Sequence, residues 1–262
     1  MSELVHLDVG SGRATITLDS PSNRNALSAQ LRRELRDHLD AALADDAVRV
    51  VVLTHTGTVF CSGMDLRESR GAGAGDQGVQ EFPGLLQTLW HSPKPVIARL
   101  SGPARAGGVG LVAACDIAIA SRAGGDEKGA TFAFSEVRIG VVPAVISVTV
   151  VPRLLPRAAE ELMLTGETFD ADRAAEIGLL NRAVEPAALD TEVDRYADML
   201  ARGGPRALAA TKAMLRRTPA PDMAADLDAM LRLSAEFFAS EEGQEGMTAF
   251  AEMRPPRWVP EN

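Results

Sequence analysis

Cysteine is nearly absent from this chain of 262 residues. Only Cys61 and Cys115 occur, both beside apolar residues, with no Cys-x-x-Cys spacing and no histidine cluster. A disulfide framework and a zinc site are therefore not expected, and a reducing, cytoplasmic compartment fits best. Positive charge is scarce as well. The net charge is -9 and the isoelectric point is near 5.0. Phosphate binding needs a basic patch, so nucleic acid is not an expected partner. Long apolar runs are missing too, so no membrane span is expected. The stretch Met1-Ser2-Glu3-Leu4-Val5-His6 lacks a basic n-region and an apolar h-region, and does not read as a signal peptide. What is present is ordinary globular composition, 46% hydrophobic and 24% charged. Its length suits one large domain or two small ones.

Val5, Leu7 and Val9 alternate with polar residues, Gly10-Ser11-Gly12 turns, and Ala14, Ile16 and Leu18 alternate again. This predicts a β-hairpin. After the loop Pro21-Ser22-Asn23-Arg24-Asn25, Ser28 is placed to cap a helix. Leu31, Leu35, Leu39 and Leu43 line one face of that helix. The runs Val48 to Leu53, Pro95 to Leu100, Asp116 to Ala120 and Thr131 to Phe134 predict strands, the first buried on both faces. Helices are predicted up to His91 and over Gly108 to Ala114. Arg70 to Gly78 reads as a mobile loop, and Gly124 to Gly129 as an exposed turn. From Val145 onward the apolar spacing is helical, punctuated by Pro152, Pro156, Gly166 and Pro186. The pattern predicts an α/β core over residues 1–200 and a helical region over 201–262.

Two glycine-containing loops stand out, Phe60-Cys61-Ser62-Gly63-Met64-Asp65-Leu66 and Ala106-Gly107-Gly108-Val109-Gly110. Each follows a predicted strand and leads toward a helix start. There, backbone N–H groups have no intrahelical acceptor and lie at the positive end of the helix dipole. Two such groups aimed at one point form an oxyanion hole.

Glu136 sits in an otherwise apolar stretch, between Phe132-Ala133-Phe134 and Ile139-Gly140-Val141-Val142-Pro143. Desolvation there raises a carboxyl pKa and suits a general base; an ion pair with Arg138 is the structural alternative. Asp65, just past a glycine, reads as a cap or turn ligand more than as a catalytic acid. Gly108-Val109-Gly110-Leu111-Val112-Ala113 also fits a dinucleotide fingerprint, with Asp126 and Glu127 about 20 residues on. Its plain alternative is close helix–strand packing. Arg105 faces either the substrate or an acid near a subunit interface. His6, His38, His55 and His91 lie in no motif and read as structural or exposed.

Taken in order, these segments resemble the enoyl-CoA hydratase/isomerase (crotonase) family. Asn23-Arg24-Asn25-Ala26-Leu27-Ser28 is similar to its early CoA-contact segment, and the Phe60 to Leu66 loop to its F-x-A/S-G-x-D-L signature. Pro95 to Asp116 resembles its strand, glycine turn and helix, and Phe134 to Pro143 the segment with a catalytic glutamate. Leu164-Thr165-Gly166 with Ala174 to Leu179, and Glu245 to Phe250, resemble the later motifs. The resemblance runs almost end to end. It implies an α/β fold, a spiral of ββα turns, followed by helices that build a homotrimer or homohexamer. It also implies an acyl-CoA thioester substrate and an enolate-like intermediate, with coenzyme A as carrier and no other cofactor or metal. Met64 and Gly107 would supply the oxyanion N–H groups and Glu136 the acid–base group. Asn25, Ala26, Ser62, Gly63, Asp65, Leu66, Gly108, Gly110 and Pro143 would bind substrate or CoA, and the Arg70 to Gly78 loop and the helix after it would line the pocket.

The chain departs from the family at three points. Family hydratases that use two glutamates carry one on the helix after the glycine turn, where this chain has Gly110. The usual Gly-rich stretch is replaced by Pro143-Ala144-Val145-Ile146-Ser147, as in some branched-chain or terpenoid-glutaconyl hydratases. The terminal Lys-Arg pair reads Met253-Arg254, so Arg254 or Arg257 would have to replace a CoA-phosphate contact. Enoyl-CoA hydration is the expected activity. The alternatives are isomerisation with one glutamate, acyl-CoA binding without turnover and, on the fingerprint alone, an NAD-dependent oxidoreductase.

Overall fold

The computed structural model describes residues 2–69, 81–125, 128–219 and 222–260. The predicted Arg70 to Gly78 loop lies outside these residues, as do Asp126 and Glu127. Strands β1 (Val5–Gly10) and β2 (Arg13–Leu18) form the expected antiparallel hairpin, with Val5 opposite Leu18. Its turn holds Ser11 at φ 50° and Gly12 at φ 75°, the doubly positive pair whose twist matches the strands. Helix α1 (Ala29–Ala44) opens where predicted, with the Leu31 N–H donating to Ser28 Oγ at 3.3 Å. Leu31, Leu35 and Leu39 are buried beneath it, while Leu43 is half-buried. Strand β3 (Val50–His55) starts two residues later than the apolar run suggests. Arg49 interrupts that run and sends its guanidinium to the Gly203 carbonyl.

The chain continues through α2 (Leu66–Ser69), α3 (Phe82–His91), β4 (Val96–Leu100) and β5 (Ala104–Arg105). Next come α4 (Gly107–Ala114), β6 (Ile117–Ser121), β7 (Thr131–Ala133), α5 (Ala144–Val150) and α6 (Pro156–Thr165). Strand β8 (Phe169–Asp170), α7 (Ala171–Glu176), β9 (Arg182–Val184) and α8 (Leu189–Ala201) precede three final helices, α9 (Pro205–Arg216), α10 (Met223–Ala239) and α11 (Glu241–Ala251). The main sheet has the order β1-β2-β3-β4-β6-β9 and is parallel from β2 onward. A smaller sheet has the order β5-β7-β8. The region after Val145 is therefore not helical throughout. Strands β8 and β9 are too short to show alternation, and β9 is defined by pairing, with Ala183 opposite Ala120. The predicted Gly124 to Gly129 turn is not wholly exposed either, because Gly129 is buried.

The main sheet is covered on both sides. Val51 and Leu53 of β3 join the large core with α1, α3 and α4. Val50 and Val52 join Ile97, Ile119 and the Leu189, Val193 and Ala197 face of α8. Two-sided burial explains the absence of alternation in β3. Among the described residues no helix is long and apolar enough to cross a membrane.

Helix α9 is tied to this core by charge. Lys212 Nζ donates to Asp116 Oδ2 at 2.7 Å, and Arg216 to Asp116 Oδ1 at 2.6 Å. Lys212 also donates to the carbonyls of Leu89 and Lys94, and burial lowers its pKa. The Val96 N–H donates to the same Asp116 carboxylate. Asp116→Ala would leave both cations without their carboxylate. Removing one partner of a buried pair costs about 3–5 kcal/mol, and Asp116 is only partly buried, so the lower end is expected. Denaturant unfolding of the variant should show a loss of about 3 kcal/mol; parent-like stability would show that the cluster anchors nothing.

Candidate active site

The first loop is stitched on both sides by backbone. Phe60 N–H donates to the Pro103 carbonyl at 3.0 Å, and Arg105 N–H to the Cys61 carbonyl at 2.9 Å. On the other side, Ser62 N–H donates to Arg24 and Leu27 N–H to Gly63, at 3.1 and 2.8 Å. Short parallel bridges, Leu27 with Met64 and Cys61 with Ala104, complete the frame. Gly63 has φ +90°, and a Cβ there would lie 3.0 Å from Ala106 Cβ and 3.4 Å from Gly107 N. The two loops thus meet at their glycines.

The second loop turns at Ala106, with φ 47° and ψ -119°. These are the angles of the first central residue of a type II′ turn, a place usually held by glycine. Ala106 N–H donates to the Ala133 carbonyl at 3.1 Å. Gly107 then opens α4, a helix buried along its whole length. Among the described residues, neither Met64 N–H nor Gly107 N–H has a backbone acceptor. Both residues line one cavity of about 520 Å³.

Glu136 reaches the same cavity from the turn of 3₁₀ helix Ser135–Ile139, which follows β7. Because β7 pairs with β5, Arg105 opposite Ala133, the glutamate turn is fixed to the loop that carries Gly107. Among the described residues Glu136 Oε2 is buried without a hydrogen-bond partner. Burial pushes this carboxyl above the usual range, only partly offset by its own backbone N–H. No ion pair with Arg138 forms among the described residues. Leu66, Phe82, Ile139, Val142, Val145 and Ile146 supply the apolar wall.

Of the residues expected in the site, Ser62, Met64, Leu66, Gly107, Glu136 and Pro143 line this cavity. Asn25, Ala26, Gly63, Asp65, Gly108 and Gly110 lie in the frame around it. Asn25 is fully buried at φ 51°. Its amide accepts from Ser20 N–H and donates to the Thr56 and Val59 carbonyls. Its side chain braces the loop. Ala26 is buried beside it. Asp65 accepts from Asn23 Nδ2 at 2.8 Å and from Arg67 N–H at 2.9 Å, a turn ligand at the start of α2. Burial acts to raise its carboxyl pKa, but these hydrogen bonds outweigh it and hold it below the usual range. A Cβ on Gly108 would lie 2.5 Å from the Cys61 carbonyl oxygen. Packing alone thus requires glycine in the fingerprint-like segment.

Gly110 packs beneath Ile146, whose Cγ2 a Cβ at 110 would approach to 2.6 Å. Among the described residues Arg105 neither lines the cavity nor pairs with an acid; it donates to the Ala104 and Thr131 carbonyls and to Thr131 Oγ1. Arg254 and Arg257 are both paired with Glu245. His55 is buried edge-on against Phe60, and its pKa is pushed down to about 4, chiefly by burial. Its neutral ring accepts from Ser101 N–H. Phe82 opens α3, the helix expected to line the pocket, whereas Val145 and Ile146 were not singled out as wall residues; their signal was the apolar run around Pro143.

Comparison with known proteins gives the family. The family profile described as Enoyl-CoA hydratase/isomerase matches residues 8–261. The chain belongs to the enoyl-CoA hydratase/isomerase family. A "Putative enoyl-CoA hydratase" of Thermus thermophilus is 35% identical over 252 residues, 94% of this chain and 96% of the relative. A crystal structure from Legionella pneumophila, of a "putative enoyl CoA hydratase/isomerase (crotonase)", superposes with TM-score 0.88 at 34% identity, over 98% of this chain and 99% of that one. An enoyl-CoA hydratase structure from Mycobacterium avium is 43% identical, with TM-score 0.73, over 98% of this chain and 100% of that one. The chain thus has the α/β crotonase fold of this family.

Proposed function

We propose that this enzyme hydrates an enoyl-CoA thioester through an enolate held by the Met64 and Gly107 N–H groups. One observation carries the reading. Two backbone donors without backbone acceptors and one carboxylate oxygen without a partner line the same cavity. The thioester oxygen accepts both N–H bonds. Glu136 takes a proton from water as the water oxygen bonds to C3. The C2–C3 π electrons move toward the thioester oxygen and form the enolate. The enolate then takes the proton from Glu136 at C2, which gives a 3-hydroxyacyl-CoA and restores the carboxylate. Related hydratase names support this direction. A second reading is isomerisation, in which Glu136 carries one proton between C4 and C2. Its support is Ile146 packed over Gly110, which leaves Glu136 as the only acidic or basic side chain lining the cavity among the described residues.

The same proposal includes assembly. Helix α10 buries none of its residues within a single chain. Leu227, Leu231, Phe238 and Phe250 are exposed on α10 and α11. Apolar surface of this kind suits a homotrimer or homohexamer.

Three measurements check these points. Gly107→Val places side-chain carbons against Leu27 Cδ1 and Phe82, 3.0 and 3.4 Å from the Cβ position, and displaces the donor. Loss of one oxyanion donor costs about 10²–10³-fold in turnover, so near-parent turnover in a folded variant would remove Gly107 from the mechanism. Glu136→Gln should lower turnover at least about 100-fold with acyl-CoA binding retained. As a base Glu136 must be ionised, so the parent rate should fall as pH drops through a pKa above the ordinary ~4.3 of glutamate. The stability sign is opposite. A raised folded-state carboxyl pKa costs stability as pH rises through it, so at pH ~8 the Gln variant should melt no lower than the parent. A parent-like rate in this variant would make Glu136 structural. Light scattering at micromolar protein should report three or six times the 27.7 kDa chain, and a monomer would refute the assembly.

A further inference from the structure

We propose that Ile146 is a reaction-selecting residue, a wedge that fills the space over Gly110 and keeps water addition in check at Glu136. The inference rests on the acid–base reading of Glu136 given above.

Gly110 lies three residues beyond Gly107 on α4, hence on the same face of the helix as the oxyanion donor. A Cβ at 110 would lie 2.6 Å from Ile146 Cγ2, 3.2 Å from Ile146 Cβ and 3.6 Å from Phe82 Cζ. The first distance is shorter than any ordinary carbon–carbon contact. Ile146 and Phe82 both line the cavity, so a side chain at 110 would have to enter between them. The wedge has little freedom to withdraw. Ile146 is 3% exposed, and isoleucine in a helix is held largely to one χ1 rotamer. The single Thr149 hydroxyl proton is shared between the Gly110 carbonyl at 3.3 Å and the Ile146 carbonyl at 3.2 Å. That pins α5 to α4 at this level.

The chemical consequence follows from what each reaction needs. A proton shift between C4 and C2 needs one carboxylate. Hydration needs, in addition, a water held in line with C3. The wall built by Ile146, Phe82 and Val145 gives such a water no side-chain hydrogen-bond partner, so its side-chain partners come from Glu136 and the Ser62 and Ser135 hydroxyls. Shortening Ile146 opens room beside Thr149 Oγ1 and the Gly110 carbonyl, polar groups that can hold a water, and favours addition over the shift.

Two experiments on the full chain test the proposal. The first is a thermal-unfolding cycle of Gly110→Ala, Ile146→Ala and the pair. With Ile146 present, Gly110→Ala should lower Tm by roughly 3 °C or more, because overpacking is destabilising. In the Ile146→Ala background the same change should be neutral or stabilising, since alanine is the better helix former. Equal losses in both backgrounds would overturn the wedge. The second compares parent and Ile146→Ala on crotonyl-CoA, for hydration, and 3-hexenoyl-CoA, for the double-bond shift. The ratio of hydration to shift should rise at least about fivefold. Equal falls in both rates would make Ile146 a packing residue only, and overturn the selecting role. A parent silent on both probes would overturn the functional reading and the selecting role with it, while the unfolding cycle would still judge the wedge on its own.

Discussion

The Arg105 N–H donates to the Cys61 carbonyl at 2.9 Å, and the arrangement of the site depends on that stitch. It joins two loops that leave the ends of β3 and β4. Glycine lets them approach closely: a Cβ on Gly108 would strike the Cys61 oxygen at 2.5 Å, and one on Gly63 would meet Ala106 Cβ at 3.0 Å. Backbone packed on backbone fixes the direction of the Met64 and Gly107 N–H groups. A side-chain donor turns with its rotamer; these cannot turn unless the loops separate. In the proposed reaction the donors therefore need no reorganisation as charge reaches the thioester oxygen, which is the condition under which such donors are most effective.

The same place concentrates features that oppose folding. Ala106 has a positive φ, and a strained backbone residue costs on the order of 1–3 kcal/mol. Glu136 Oε2 is buried without a partner, and an unsatisfied buried polar group costs about 1–3 kcal/mol. The first N–H groups of a fully buried helix are left without intrahelical acceptors. Among the described residues, donors without backbone acceptors and a carboxylate oxygen without a donor belong to residues that line one cavity, so these costs have complementary signs. A thioester and a water would satisfy both sets at once. Burial on both faces of the main sheet and the Asp116 cluster stabilise the frame elsewhere, which lets the site stay unsatisfied.

What the sequence made legible is whatever depends on neighbours in the chain. The hairpin, the Ser28 cap and the leucine face of α1 follow from local periodicity. The glycine loops were readable because their chemistry is carried by backbone, and Glu136 because a lone carboxylate in an apolar run is unusual. Asn25 was not readable. Its partners, the Ser20 N–H and the Thr56 and Val59 carbonyls, span more than 30 positions, and a bracing asparagine has the same letter as a binding one. Arg105 gave no sign that three carbonyl and hydroxyl oxygens would absorb its guanidinium. Strand β9 escaped because three residues are too few to show a period. The part of the wall built by Val145 and Ile146 depends on how α5 meets α4, a property of packing and not of spacing, whereas Phe82 opens the helix expected after the Arg70 to Gly78 loop.

Helix α4 shows how these levels combine in eight residues. At its first residue stands a proposed oxyanion donor. In its middle, the Gly110 carbonyl accepts from Thr149 while Ile146 covers the missing side chain. Two residues past its end, Asp116 gathers Lys212, Arg216 and the Val96 N–H. The helix is thus fixed at its start by backbone, at its middle by shape and just beyond its end by charge. Each kind of restraint fails under a different condition. Backbone bonds yield to local unfolding, shape to a change of volume, and the ion pairs to protonation or salt. A displacement of α4 along its axis would have to break all three at once. That redundancy holds Gly107 in register with Glu136, although the two groups reach the cavity from separate turns of the chain.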